Sequence, residues 1–156
     1  MTQTDHPALA YLARRDVSGQ WRGFLRALVE TLDAHLDANG RNALLRSVGA
    51  RLGNDMPLRP AATLVELEAR MNEALASIAW GYVTITLDEA DRSLRLTHGA
   101  APAIGVAGDD AGAWAGAVLE GLYGTWLSAQ QGGTESGARL RLLQAGGGQA
   151  LLRYAP

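Results

Sequence analysis

A chain of 156 residues, 47% hydrophobic and 19% charged, is long enough to bury a core and has the balance of an ordinary globular protein. A net charge of −2 and the lack of any Arg-rich run argue against bulk electrostatic binding to nucleic acid or to an anionic membrane. The absence of cysteine removes disulfides, thiolate nucleophiles and Cys-ligated zinc.

Residues 1–17 read as a polar N-terminal arm, predicted to be mobile, with one helical turn in PALAYLARR. The arm has no basic segment leading into an apolar one. No apolar run reaches the roughly 18–20 residues that a bilayer span needs. A cytoplasmic protein without direct membrane insertion is therefore expected. A long amphipathic helix follows. Trp21, Phe24, Leu25, Leu28, Leu32 and Leu36 form one stripe at helical spacing, and Arg22, Arg26, Glu30, Asp33 and Asp37 lie off it. Arg26 and Glu30 are spaced for an i,i+4 ion pair, and Asn39-Gly40 reads as the stop.

A second helix runs through RNALLRSVGARLG, with Leu44, Leu45, Val48 and Leu52 as its inner face. NDMPLRP connects it to a third helix that opens with a capping box, Thr63 to Glu66. Leu64, Leu67, Met71, Leu75 and Ile78 are that helix's apolar face. At Trp80-Gly81 the period changes from 3.6 to 2. YVTITL (82–87) and RSLRLTH (92–98) alternate and are separated by DEAD, which predicts an antiparallel hairpin with one solvated face. A Gly/Ala/Pro/Asp loop leads into a helix over about 113–130, then a flexible loop, QQGGTESG. ARLRLLQ and QALLRYA around GGG (146–148) predict a second hairpin. The fold class is α+β, in a single domain spanning 1–156. N-terminal helices precede a four-stranded antiparallel sheet of two hairpins, with one long buried helix between the hairpins.

That helix, AVLEGLYGTWL at its centre, carries two glycines, each costing a helix interior about 0.5–1 kcal/mol relative to alanine. At about 100° per residue, Ala113, Ala117, Gly121, Gly124 and Ser128 fall on one narrow stripe. Trp114, Val118, Leu122 and Trp126 adjoin it, and Glu120 is the only charge. A helix apolar nearly all round is buried on more than one side. A small-residue stripe lets another backbone come close, which offsets the propensity loss by packing. That backbone belongs either to the chain's own N-terminal helices or to a second copy of the protein. On the second reading Ala117, Gly121, Gly124 and Ser128 are oligomer-interface residues.

Signals for catalysis are sparse. His6, His35 and His98 are scattered without metal-ligand spacing, and a lone His is more often a surface or satisfied residue. There is no GxSxG elbow, P-loop or GxGxxG. Asp88 with Glu89 and Asp109 with Asp110 are adjacent acids in polar turns. A glycosidase needs two carboxyls across a cleft, one with a raised pKa, so both pairs read as solvated loop charges. Trp21, Trp80, Trp114 and Trp126 sit on apolar faces or at a helix–strand junction and read as core or interface. Tyr82 and Tyr154, at strand ends, read as partly exposed contacts for a partner or a glucan. No cofactor is called for.

Three segments, NALLRSVG (42–49), IAWGYVTITLDEADRSLRLTHGAAP (78–102) and WAGAVLEGLYGTWLSAQQG (114–132), together resemble the BcsD family of bacterial cellulose synthase components. The most specific features are the IxWGxVTxxL run and the VLEGLYGxW helix. The resemblance covers roughly residues 20–132; the arm and the tail from 133 depart from it. It implies a non-catalytic protein that forms a ring-like homo-octamer, a tetramer of dimers. Its passages are proposed to guide β-1,4-glucan chains, and it works with other cellulose synthase subunits in ordering cellulose. It also implies an alternative: a cytoplasmic scaffold that polymerises with a proline-rich partner and does not touch glucan. An oligomeric family tips the glycine stripe towards the interface reading. Two other classes compete: a small glycan hydrolase, disfavoured by the missing acid pair, and a small-molecule binding domain, for which no residue names a ligand.

Overall fold

The computed structural model describes residues 17–156 except 131, 134 and 135. The turn expected at PALAYLARR lies outside them, as does part of the loop at 130–137. The elements are α1 (Gly19–His35), α2 (Ala38–Asp55), α3 (Leu64–Ser77), β1 (Tyr82–Asp88), β2 (Ser93–Gly99), α4 (Ala115–Ser128), β3 (Arg139–Gly146) and β4 (Gln149–Ala155). All four strands join one antiparallel sheet in the order β1-β2-β4-β3, so the two predicted hairpins meet along β2 and β4. This is the expected α+β architecture.

The local chemistry of the chain accounts for most boundaries. Ser18 caps α1 by accepting from the Gln20 amide. The predicted stop at Asn39-Gly40 is not a stop. Leu36 is already extended, and Asp37 starts α2 by accepting the Gly40 amide at 2.7 Å, so both residues lie in the first turn of α2. A carboxylate at the cap position outweighs the stop signal of a following glycine. The capping box of α3 forms: the Thr63 hydroxyl accepts from the Glu66 amide at 3.1 Å, and the Glu66 carboxylate reaches back to the Ala62 amide at 2.9 Å.

Both sheet edges are blunted by side chains. On β1, Asn72 of α3 accepts from the Val83 amide and donates to its carbonyl, and Glu68 accepts from the Ile85 amide. On β3, Glu120 of α4 accepts from the Leu142 amide at 2.8 Å, and a bulge follows between Leu142 and Gln144. These contacts occupy backbone groups that would otherwise pair with a foreign strand.

α4 is the middle layer. Its Leu119, Leu122, Tyr123 and Trp126 join Val83, Leu96 and Leu152 from the sheet and Met71 and Leu75 from α3 in one cluster. Its Ala117 and Val118, with Trp114 just before it, join Val29 of α1, Leu45 of α2 and the loop residues Ile104 and Val106 in a second. The backing that the helix needs on its second side therefore comes from the chain's own N-terminal helices.

Candidate interaction surfaces

The two glycines of α4 have different surroundings. A Cβ on Gly121 would lie 1.9 Å from the Arg46 carbonyl oxygen of α2, and one on Gly49 of α2 would lie 1.8 Å from the Val118 carbonyl oxygen of α4. The two helices cross backbone to backbone, and only a residue without a side chain fits at either point. Ala117, four residues before Gly121, is buried in the same contact. A Cβ on Gly124 meets nothing within 4 Å. Gly124 and the exposed Ser128, with the edge of Gly121, line an open groove of about 860 Å³ whose other walls include Ala43, Ser47 and Ala50 of α2 and Tyr154 of β4. The predicted stripe is thus divided: Ala117 and Gly121 serve the chain's own crossing, while Gly124 and Ser128 stay accessible. At the rim, Arg46 approaches Glu120 to 3.5 Å.

The apolar stripe of the first helix is mostly outside. Trp21 is 54% exposed, Phe24 57%, Leu28 43% and Leu36 37%; the fully buried residue of α1 is Val29, beside the stripe. On α2, Leu44 and Val48 are also exposed, and Leu45, Gly49 and Gly53 form the buried line. The reason is the glycine crossing. It rotates α2 so that its glycine line faces α4, which turns Leu44 and Val48 towards α1. α1 makes few close approaches to α2 and leaves a groove of about 560 Å³ between them. Leu25, Leu28, Leu32, Leu44 and Val48 line its walls, and Trp80 and Trp114 are among its other lining residues. Trp21 and Phe24 continue the apolar face along α1, their rings edge to face at 5.8 Å. Sequence spacing located this stripe correctly and left it between core and interface, because periodicity carries no information about which element stands opposite.

The remaining candidates are spread apart. Tyr82 lies on the outward face of the sheet, half exposed, its ring across its cross-strand partner Gly99. Tyr154 lies on the opposite, helix-facing side, where its hydroxyl donates to the Gly133 carbonyl at 3.2 Å. The two tyrosines do not share a site. Asp109 is not a plain solvated loop charge: its carboxylate accepts from the Ala113 and Trp114 amides at 2.9 and 3.0 Å, tying down the start of α4. Asp88 orders the β1–β2 turn by accepting from the Ala90 amide. Asp91 accepts from Ser93 and pairs with Arg153, and these bonds, Ser93 first, hold its carboxyl down at about 2. Arg26 and Glu30 form their predicted pair at 3.0 Å, and Glu30 also accepts from the Ala107 amide, which fastens α1 to the loop before α4.

His98 is buried beneath α4, its Nδ1 hydrogen-bonded to the Tyr123 hydroxyl. Burial pulls its pKa down to about 4; the Trp80 backbone opposes this only in part, and Nε2 has no closed hydrogen bond. The same desolvation pushes the Tyr123 hydroxyl well above its ordinary value. Both groups are neutral core members at ordinary pH. Among the described residues no three His, Asp or Glu side chains are grouped to hold a metal ion.

The fold and its faces define an α+β protein whose distinctive chemistry lies on open surfaces, a helical apolar face above all. The chain matches the family described as the D component of cellulose synthase over residues 7–155, and it belongs to that family. The match takes in the tail and most of the arm, both beyond the reach of the motifs quoted above. Cellulose synthase operon protein D from Komagataeibacter xylinus is 41% identical over 109 residues, 70% of each chain. Another K. xylinus protein of that name and one from Komagataeibacter sucrofermentans are each 38% identical over the same share. The chain therefore has a role in cellulose synthesis. Among the described residues no helix is long and apolar enough to cross a membrane.

Proposed function

We propose that the chain is a single-domain, non-catalytic assembly component of the cellulose synthase machinery, working in the cytoplasm as a ring-like homo-oligomer. The observation that supports this best is the apolar face of α1 and α2. A contiguous apolar surface of this kind, exposed on a soluble monomer, marks an interaction site. Burying Trp21, Phe24, Leu28, Leu44 and Val48 against a second copy would remove that area from water, and a repeated contact would close a symmetric ring. The octameric ring, its action on synthase complexes or β-1,4-glucan chains, and the contact roles of Gly124, Ser128, Tyr82 and Tyr154 belong to the same proposal.

A second reading has its own support. Trp21 and Phe24 are paired aromatics beside a groove, the surface on which proline-rich segments dock. In that reading the protein polymerises with a proline-rich partner and does not touch glucan.

The test is native mass by light scattering across a concentration series, for the wild type and for Leu28→Ser with Val48→Ser. A wild-type oligomer that the double variant loses, while its circular dichroism stays that of the folded chain, is the expected result. A wild type that is monomeric at every concentration overturns self-assembly and leaves the proline-rich reading. An oligomer untouched by the substitutions moves the interface away from α1 and α2.

A further inference from the structure

The outward face of the sheet carries a row of arginines that the linear sequence disperses. Arg95 of β2 stands opposite Arg153 of β4, and Arg153 stands opposite Arg141 of β3. Neighbouring strands are about 5 Å apart, so the three side chains leave the sheet at about that spacing. Their side is settled by alternation: Leu94, Leu96 and His98 face α4, so Arg95 faces away, and its cross-strand partners share its face. Arg139, two residues along β3 at the end of the strand, reaches the rim of the α2–α4 groove and stands apart from the row.

Like charges directly opposite one another on neighbouring strands destabilise a sheet. Asp91 answers Arg153 at 2.8 Å. Arg95, Arg139 and Arg141 have no carboxylate partner among the described residues. The chain as a whole is acidic, at −2, so the positive row is a local departure rather than a reflection of bulk charge. Within the described residues Asp91 offsets the repulsion at Arg153 alone, and a negatively charged partner laid across the row would offset it at Arg95 and Arg141.

The surroundings narrow the kind of anion. Arg95, Arg141 and Arg153 line neither groove described above and stand on an open, pleated surface, which suits an extended segment rather than an enclosed small ligand. Beside the row, the β1–β2 turn presents Asp88, Glu89 and Asp91. A continuous polyanion such as a lipid surface or a nucleic acid would cover that acidic turn as well as the arginines. A short segment crossing the strands avoids Asp88 and Glu89 and meets one carboxylate of the turn, Asp91, at its Arg153. Planar guanidinium forks match carboxylates in paired hydrogen bonds.

We propose that this face docks a short acidic segment of a partner protein, whose Asp and Glu carboxylates bridge Arg95, Arg153 and Arg141. It lies on the far side of α4 from the α1–α2 face, so both surfaces can be occupied at once, and neither proposal depends on the other. A fluorescein-labelled peptide of alternating Glu and Ser, titrated against the full chain and followed by anisotropy, tests it. The wild type is expected to bind at low salt and to weaken as salt rises. Arg95→Gln with Arg141→Gln should weaken binding about tenfold or more, and Arg59→Gln, elsewhere on the surface, should leave it unchanged. The double variant should unfold at the wild-type temperature or above it, because it removes like-charge repulsion. No binding by the wild type, equal binding by the double variant, tighter binding of phosphatidylserine vesicles or duplex DNA than of the peptide, or a lowered unfolding temperature in the double variant would each overturn the proposal.

Discussion

The α2–α4 crossing and the α1–α2 groove share one helix and differ in almost everything else. At the crossing, Gly49 and Gly121 bring two backbones together with no room for a methyl group. At the groove, Leu28, Leu44 and Val48 hold the helices apart and leave large apolar side chains in contact with water. A close contact is complete when its small residues meet; a contact between bulky residues is complete only when every side chain has a neighbour. The crossing is finished within one chain, and the groove is not. That difference argues that the groove, rather than the glycine stripe, is where a further molecule gains most by binding.

The most severe way to break the comparison is at the crossing. Gly121→Ala or Gly49→Ala drives a methyl group into a carbonyl that belongs to rigid backbone, and should cost about 3 kcal/mol or more in chemical denaturation. A cost under about 0.5 kcal/mol would mean that the helices separate easily. The sheet side of α4 supplies the next effect. His98 titrates near 4 in the folded chain and near 6.5 when unfolded, so between these values the unfolded chain binds more protons and stability falls as pH falls. Urea unfolding at pH 7 and at pH 5 should differ by about 2 kcal/mol, with His98→Gln flattening that slope. A slope that survives the substitution would assign it to other groups.

Smaller effects sharpen the picture. Asp109→Ala removes a charged acceptor from two amides at the start of α4 and should lower stability by about 1–2 kcal/mol, whereas Asp110→Ala should be nearly neutral in the same thermal melt. Gly124→Ala has open space for its methyl group and should stabilise by up to about 1 kcal/mol through helix propensity. The contrast between Gly124→Ala and Gly121→Ala, three residues apart, is the sharpest single check on the crossing. Trp21→Ser should change monomer stability least, since the side chain is already in water; a loss above about 1 kcal/mol would place it in the folded core after all.

Much of this molecule can be read without coordinates. The alternation of YVTITL and RSLRLTH locates the first hairpin to within a residue, because a strand with one buried face must repeat every second residue. The Thr63–Glu66 box starts α3 where expected, since capping is satisfied by residues only three apart. The four small residues of α4 form one stripe in the sequence, and their surroundings divide them in two. Asp37 prevails over Gly40 at the α1–α2 junction, a contest between two local signals that spacing does not weigh. The arginine row has no linear signature at all: its members lie on three strands, and pairing alone brings them together.

By itself the sequence determined what each element is and which of its faces is apolar, because helix and strand periods, caps and turns act over a few residues. It determined the family as well, through motifs in three of those segments. Only the tertiary structure decided what each face meets. The glycine line of α2 went to α4, Leu28 of α1 and Leu44 of α2 were left towards solvent, and the arginines were gathered on the open side of the sheet. Each outcome rests on where elements distant along the chain come to lie in space, and no local pattern carries that information.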